Sequence, residues 1–128
     1  MTTMPAAALG MSRNPLLGEE HEMLRDQVRR FVETEVKPAA DAWEAEGFVP
    51  RSVLRRAGEL GFLGLRYPTE HGGSAMDPLA SVVLAEELGR STYGGFAITI
   101  LDHTDMAAVH ILHSGSRAQK VRWLPRVI

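Results

Sequence analysis

Cysteine is missing from all 128 residues, which rules out disulfides and thiolate metal sites and fits a reducing compartment. Also missing is any run of ~20 consecutive apolar residues, the length that a membrane-spanning helix requires. Charge of one sign does not dominate: fourteen basic residues stand against sixteen acidic ones, a net charge of −2. No basic stripe or arginine cluster follows one face, so nucleic acid is not an expected partner. Residues 1–16 have no charged region ahead of a long apolar core, so no secretory signal is expected. Arg13 alone falls short of the several arginines of a mitochondrial presequence. These sixteen residues read as a disordered leader to a single domain over 17–128, with the cytoplasm as the expected compartment. No segment alternates apolar and polar residues with a period of two, so strands are not expected and the fold class is all-α.

The stretch Tyr93–His113 (YGGFAITILDHTDMAAVHILH) organises the rest. It has no proline, lysine or arginine, and as a helix it spans about 32 Å at ~1.5 Å per residue. Phe96, Ile98, Ile100, Leu101, Met106, Val109, Ile111 and Leu112 fall on nearly every face, which predicts a helix covered all round. Its middle carries Thr99, Asp102, His103, Thr104 and Asp105, and polar groups buried there must find partners.

The remaining elements follow from periodicity and punctuation. Leu24, Val28, Phe31 and Val32 make one apolar stripe, behind a first turn rich in glutamate that suits the positive end of a helix. Pro38 is expected to end or kink this helix near Val36, leaving a shorter one that carries Trp43 inward and stops at Gly47. Pro50 opens a third stripe of Val53, Leu54, Ala57 and Leu60, terminated by left-handed Gly61. Residues 61–76 are the longest irregular stretch. They lack the glycine spacing and lysine of a phosphate-binding loop. Asp77 and Pro78 cap and begin a helix whose Leu79, Val82, Val83 and Leu88 are expected inside. Ser116 with Gln119 matches a capping box for a last helix that carries Trp123 and stops at Pro125. About six helices result.

Few residues suggest chemistry. His103, His110 and His113 share one helix at a spacing that allows a metal, but no fourth ligand accompanies them, and local hydrogen bonding or solvent exposure explains them as well. No metal is expected. His103 and Asp105 suggest an acid–base pair, yet positions i and i+2 point about 200° apart on a helix and meet only if it breaks. Glu44, Glu46, Glu86 and Glu87 read as solvated faces, Trp43 and Trp123 as core anchors. No catalytic residue is assigned.

Taken as strings, the segments EHEMLRDQVRRFVETEVKPAADAWEAEG at 20–47, GELGFLGLRYPTEHGG at 58–73, LAEELGRS at 84–91, LDHTDMAAVHILHSG at 101–115 and QKVRWLP at 119–125 resemble the N-terminal helical domain of the acyl-CoA dehydrogenase family. The HxD element at His103–Asp105 is most similar to the long-chain-type branch and its bacterial relatives. The resemblance implies an orthogonal helical bundle in a flavoprotein that removes hydrogens from Cα and Cβ of an acyl-CoA thioester. It further implies FAD as cofactor, an electron-transfer flavoprotein as acceptor and a homo-oligomeric assembly. The middle β-domain and C-terminal helical domain of the family lie outside these 128 residues. With them lie the expected FAD contacts and catalytic base, so this chain alone is expected to be inactive. What the resemblance leaves here is one wall of the acyl-chain cavity and part of the subunit packing, with Ile98, Thr99, Asp102 and Met106 as candidates for that wall. A free-standing helical interaction module, or a domain of a related acyl-CoA oxidase or flavin monooxygenase, are the alternatives.

Overall fold

Two long helices, each widened in the middle rather than broken, frame the molecule. The computed structural model describes residues 14–128, so most of the leader read at 1–16 lies outside the described residues. The first long helix comprises α1 (Glu19–Phe31), a π-helical turn (Val32–Val36) and α2 (Lys37–Glu46). Pro38 therefore does not end the helix. In a regular α-helix its ring would press on the carbonyl four residues back. The wider turn before it sends the Lys37 N–H to the Val32 carbonyl instead and carries the chain past the ring. This is why the described residues hold five continuous helices where about six were expected.

Shorter elements connect the two. Pro50 caps α3 (Arg51–Glu59) from just outside it, one place earlier than expected. Gly61, at φ +83°, turns the chain into a loop that contains one 3₁₀ turn (Thr69–His71). The loop is folded so tightly that a Cβ on Gly73 would stand 2.1 Å from the Tyr67 carbonyl oxygen. Asp77 then caps α4 (Pro78–Gly89), its carboxylate accepting the Leu79 N–H at 2.9 Å. The second long helix joins α5 (Gly94–Leu101), a second π-helical turn (Asp102–Ala107) and α6 (Ala108–Ser114). In α7 (Arg117–Val127) the capping box forms as expected: the Ser116 hydroxyl accepts the Gln119 N–H, and the Gln119 side chain accepts the Ser116 N–H. Pro125 lies inside this helix instead of stopping it. Only Arg126 and Val127 follow it in the helix, so its cost falls on the last turn. The described residues include no strand, and no helix among them is long and apolar enough to cross a membrane.

The core forms where α1 crosses α4 and α5. Leu24, Val28, Phe31 and Val32 are buried as the stripe predicts, against Ala80, Val83, Leu84 and Leu88 of α4. Val82 lies about 100° round from Val83 and is turned out, contrary to expectation. Phe31 sits between Phe62 and Phe96, with ring centroids 5.6 and 6.3 Å away, and Trp43 reaches Phe96 at 6.1 Å. Each such ring contributes about 1.5–3 kcal/mol by leaving water. A second, smaller core gathers Tyr67, Ala108 and Leu124 under α6 and α7. Trp123 is not part of it: it is exposed, with the Arg122 guanidinium 4.7 Å from its ring centre. Glu87 is the other reversal, fully buried where a solvated face was expected, because Arg25, Arg29 and Arg90 converge on it.

Candidate functional site

The long helix from Gly94 to Ser114 presents two opposite ridges. Phe96, Ile100, Thr104 and Ala108 recur every fourth residue and are buried. Ile98, Asp102 and Met106 recur at the same interval on the other side and face out, Ile98 and Met106 each 56% exposed. The helix is thus not covered all round: one apolar ridge, interrupted by a carboxylate, is bare. Of the four candidates for the acyl wall, these three form one line. Thr99 turns aside into a neighbouring cleft, its hydroxyl donating to the Gly95 carbonyl at 2.6 Å.

The polar residues in mid-helix find partners on three separate elements. The Thr104 hydroxyl donates to the Leu63 carbonyl at 2.8 Å, and the Thr104 carbonyl accepts the Tyr67 hydroxyl at 2.5 Å. Burial pushes the Tyr67 phenol up from its ordinary value, so it stays a donor. Asp105 accepts the Ser81 hydroxyl of α4 at 3.2 Å. His103 meets the Val127 carbonyl of α7, and since a carbonyl only accepts, Nε2 carries the proton. The helix does widen here, but His103 and Asp105 go to different neighbours and do not form an acid–base pair. Nor do the three histidines converge: His110 lies exposed beside a hollow with Trp123, and His113 is exposed further on.

One cluster escaped the sequence reading. His21, 3% exposed, joins α1 to the cap of α4 through Nε2 and Asp77 Oδ1 at 2.8 Å, with Glu20 close by. These three could hold a cation by distance alone. The imidazole chemistry opposes it, because Nδ1 already accepts the Gly18 N–H at 3.0 Å, leaving the proton on Nε2 where a metal would bind. His21 is a staple between helices, and it holds the Asp77 carboxyl below its ordinary range. Fifty-six residues separate the two, and no local pattern signals such a contact.

A concavity with aromatic walls lies between the end of α2 and the start of α5. It encloses about 380 Å³, with Trp43, Phe48, Tyr93 and Phe96 as aromatic walls and Glu44 as its one charged residue. A second hollow is lined by Met23, Leu24, Leu60, Leu65 and Met76. Cations line two others, Arg55 with Arg126 and Arg117 with Lys120, and neither of those has a phenylalanine, tyrosine or tryptophan in its lining. A flavin dinucleotide needs a stacking wall together with donors for its pyrophosphate. The aromatic cleft has no cationic donor and Glu44 would repel the phosphates, so that cleft does not fit FAD.

Comparison with known proteins agrees with the helical architecture. Residues 18–128 match the family model described as acyl-CoA dehydrogenase, N-terminal domain. The chain is 38% identical over 112 residues to (2S)-methylsuccinyl-CoA dehydrogenase of Cereibacter sphaeroides, covering 87% of this chain and 20% of that protein. It is 32% identical over 112 residues to the mitochondrial long-chain specific acyl-CoA dehydrogenase of Mus musculus, covering 88% of this chain and 26% of that one. The crystal structure of an acyl-CoA dehydrogenase from Bacillus anthracis complexed with FAD superimposes with a TM-score of 0.80 at 36% identity, over 87% of this chain and 19% of that one. The chain thus spans between a fifth and about a quarter of these curated relatives.

Proposed function

The chain belongs to the acyl-CoA dehydrogenase family as its N-terminal domain, and on that premise we propose that it supplies one wall of the acyl-chain cavity in an FAD-dependent enzyme. The reaction in this reading is removal of hydrogen from Cα and Cβ of an acyl-CoA thioester. FAD, held by other parts of the complete enzyme, would supply the oxidising chemistry. The residues described here take no part in moving a proton or hydride. They bind the acyl tail and exclude water from it. The same reading takes an electron-transfer flavoprotein as electron acceptor, a homo-oligomer as the assembly and the cytoplasm as the compartment.

The observation that carries the proposal is the bare ridge of Ile98, Asp102 and Met106, opposite the buried Phe96, Ile100, Thr104 and Ala108. Two large apolar side chains held in water, about two turns apart on one helix, make a wall waiting for an apolar surface. Asp102 between them must be paired or turned aside once a tail lies alongside, since an isolated buried carboxylate is costly.

Chain-length preference tests the assignment. In a full-length parent enzyme that contains this domain, Met106→Trp fills space beside the tail. If the ridge lines the cavity, KM rises far more for long acyl-CoA substrates than for short ones. Losing contact with three or four methylenes at ~0.8 kcal/mol each changes the relative preference more than about tenfold. An equal loss at every chain length would mean a packing defect, and the wall would lie elsewhere.

A further inference from the structure

The cleft between α2 and α5 is built for charge of one sign. Glu44 is the only charged residue in its lining, and no arginine, lysine or histidine joins it. Asp41 stands beside it, accepting the Tyr93 hydroxyl at 2.5 Å and so holding that ring in place. On α2 and α3, Lys37 pairs with Glu33 and Arg56 with Glu35. α2 also directs its C-terminal end here, with no basic residue in its last turn to offset the negative pole. The helix ends at the left-handed Gly47, which itself lines the cleft.

The walls match this field. Trp43, Phe48, Tyr93 and Phe96 surround a space of about 380 Å³, within the ~300–1,000 Å³ range of small-molecule sites. Phe48 stays 60% exposed at the rim, an aromatic face left to solvent. Aromatic faces attract cations through their quadrupole, most strongly when the cation is poorly hydrated, as an alkylated ammonium is. A purely apolar tail would gain from the rings but would bury Glu44 without a counter-charge. We infer that this cleft binds a small organic cation of the alkylammonium class, with Glu44 as counter-charge and the Trp43, Phe48 and Tyr93 rings as walls. The site is distinct from the acyl wall. The ridge of Ile98, Asp102 and Met106 runs along another face of the helix, and Thr99, which borders both, has its hydroxyl committed to Gly95.

The test is a titration of the ¹⁵N-labelled chain with choline, and separately with its uncharged isostere 3,3-dimethylbutan-1-ol, followed by backbone and indole N–H shifts. Saturable shifts are expected at the Trp43 indole and at residues 47–49 and 93–96. Choline should bind about tenfold more tightly than the alcohol. Glu44→Gln should abolish most of that preference. Phe48→Leu should weaken choline while leaving remote shifts unchanged, because both residues are exposed and neither supports the core. Equal affinity for the alcohol would identify an apolar hollow and overturn the inference. Shifts that do not saturate, or that centre on Trp123, would overturn it as well.

Discussion

Arg29 of α1 grips Glu87 of α4 with two parallel hydrogen bonds, Nε to Oε2 at 3.0 Å and Nη2 to Oε1 at 2.9 Å. Arg25 adds a third to Oε1 at 2.9 Å, so a carboxylate 1% exposed is saturated with guanidinium donors. Two-pronged pairing of this kind fixes the register of two helices as well as their attraction. It sets the crossing of α1 over α4, and with it the platform on which α5 begins.

Replacing Glu87 with Ala leaves those guanidinium groups facing a vacated site. A loss of about 3 kcal/mol is expected, at the low end for a broken buried pair because Arg29 and Arg90 reach water. Denaturant melts of the two proteins measure it, and a loss under about 0.5 kcal/mol would mean that the pair is incidental. The pH dependence has a definite sign. Burial by itself would raise the Glu87 carboxyl, but Arg29 and Arg25 outweigh it and hold it below its ordinary range. A depressed carboxyl stabilises the fold above its unfolded pKa, about 4.3, and that stability is lost as pH falls through the lower folded value. Glu87→Gln should therefore flatten the acid limb of the stability curve below about pH 4.

Much of the bundle was legible because its signals are local. The stripe of Leu24, Val28, Phe31 and Val32, the Asp77–Pro78 start and the Ser116–Gln119 box each depend on neighbours within a few turns, and each formed. What escaped depends on partners far along the chain. Nothing near Glu87 in sequence announces two arginines some sixty residues earlier, and His21 gives no hint of Asp77. Of the two outcomes expected at Pro38, an end or a kink, the end did not occur, because a proline breaks a helix only if the preceding turn keeps α geometry. Val32 and Val36, both buried, hold the wider turn in place. Of the ridge, the shared face of Ile98, Asp102 and Met106 was readable from four-residue spacing. That it would stay bare was not, since exposure is decided by which neighbours are present.

The second π-helical turn should depend on Tyr67. Its hydroxyl is the side-chain donor to the Thr104 carbonyl, inside the smaller core. Tyr67→Phe keeps the ring and its packing but leaves that carbonyl short of a partner, a cost of about 1–3 kcal/mol. Faster amide exchange is expected over 102–107, with little change in α1 and α4. Uniform acceleration across the domain would show that the hydroxyl supports global stability and has no special tie to the turn.

The chain of 128 residues should not retain flavin. The cleft with aromatic walls carries Glu44, and the hollows with cations have no phenylalanine, tyrosine or tryptophan wall. Mixed with FAD and passed over a sizing column, the protein should emerge colourless. Adding long-chain acyl-CoA should bleach nothing. Stoichiometric yellow protein would disprove the electrostatic argument about Glu44 and its surroundings.

The bare ridge makes a last prediction that needs no enzyme. Ile98 and Met106 are each 56% exposed, and Asp102 between them is exposed too. Residues of this size on one helical face give the chain a strip to bury against another surface, and soluble monomers seldom leave large apolar patches uncovered. At high concentration the isolated chain should therefore self-associate or bind a hydrophobic dye. Lysine at both positions should abolish either behaviour. Because both side chains already face water, the double variant should keep its stability within about 0.5 kcal/mol. That combination distinguishes the ridge from a loosened core, since a core defect would raise dye binding and lower the melting temperature together. Light scattering that finds only monomer in the unaltered chain, with no dye bound, would mean that Asp102 keeps the ridge wet enough to stand alone. In that case the ridge would have no claim to face an apolar tail, and the acyl wall would have to be sought on another side of the helix.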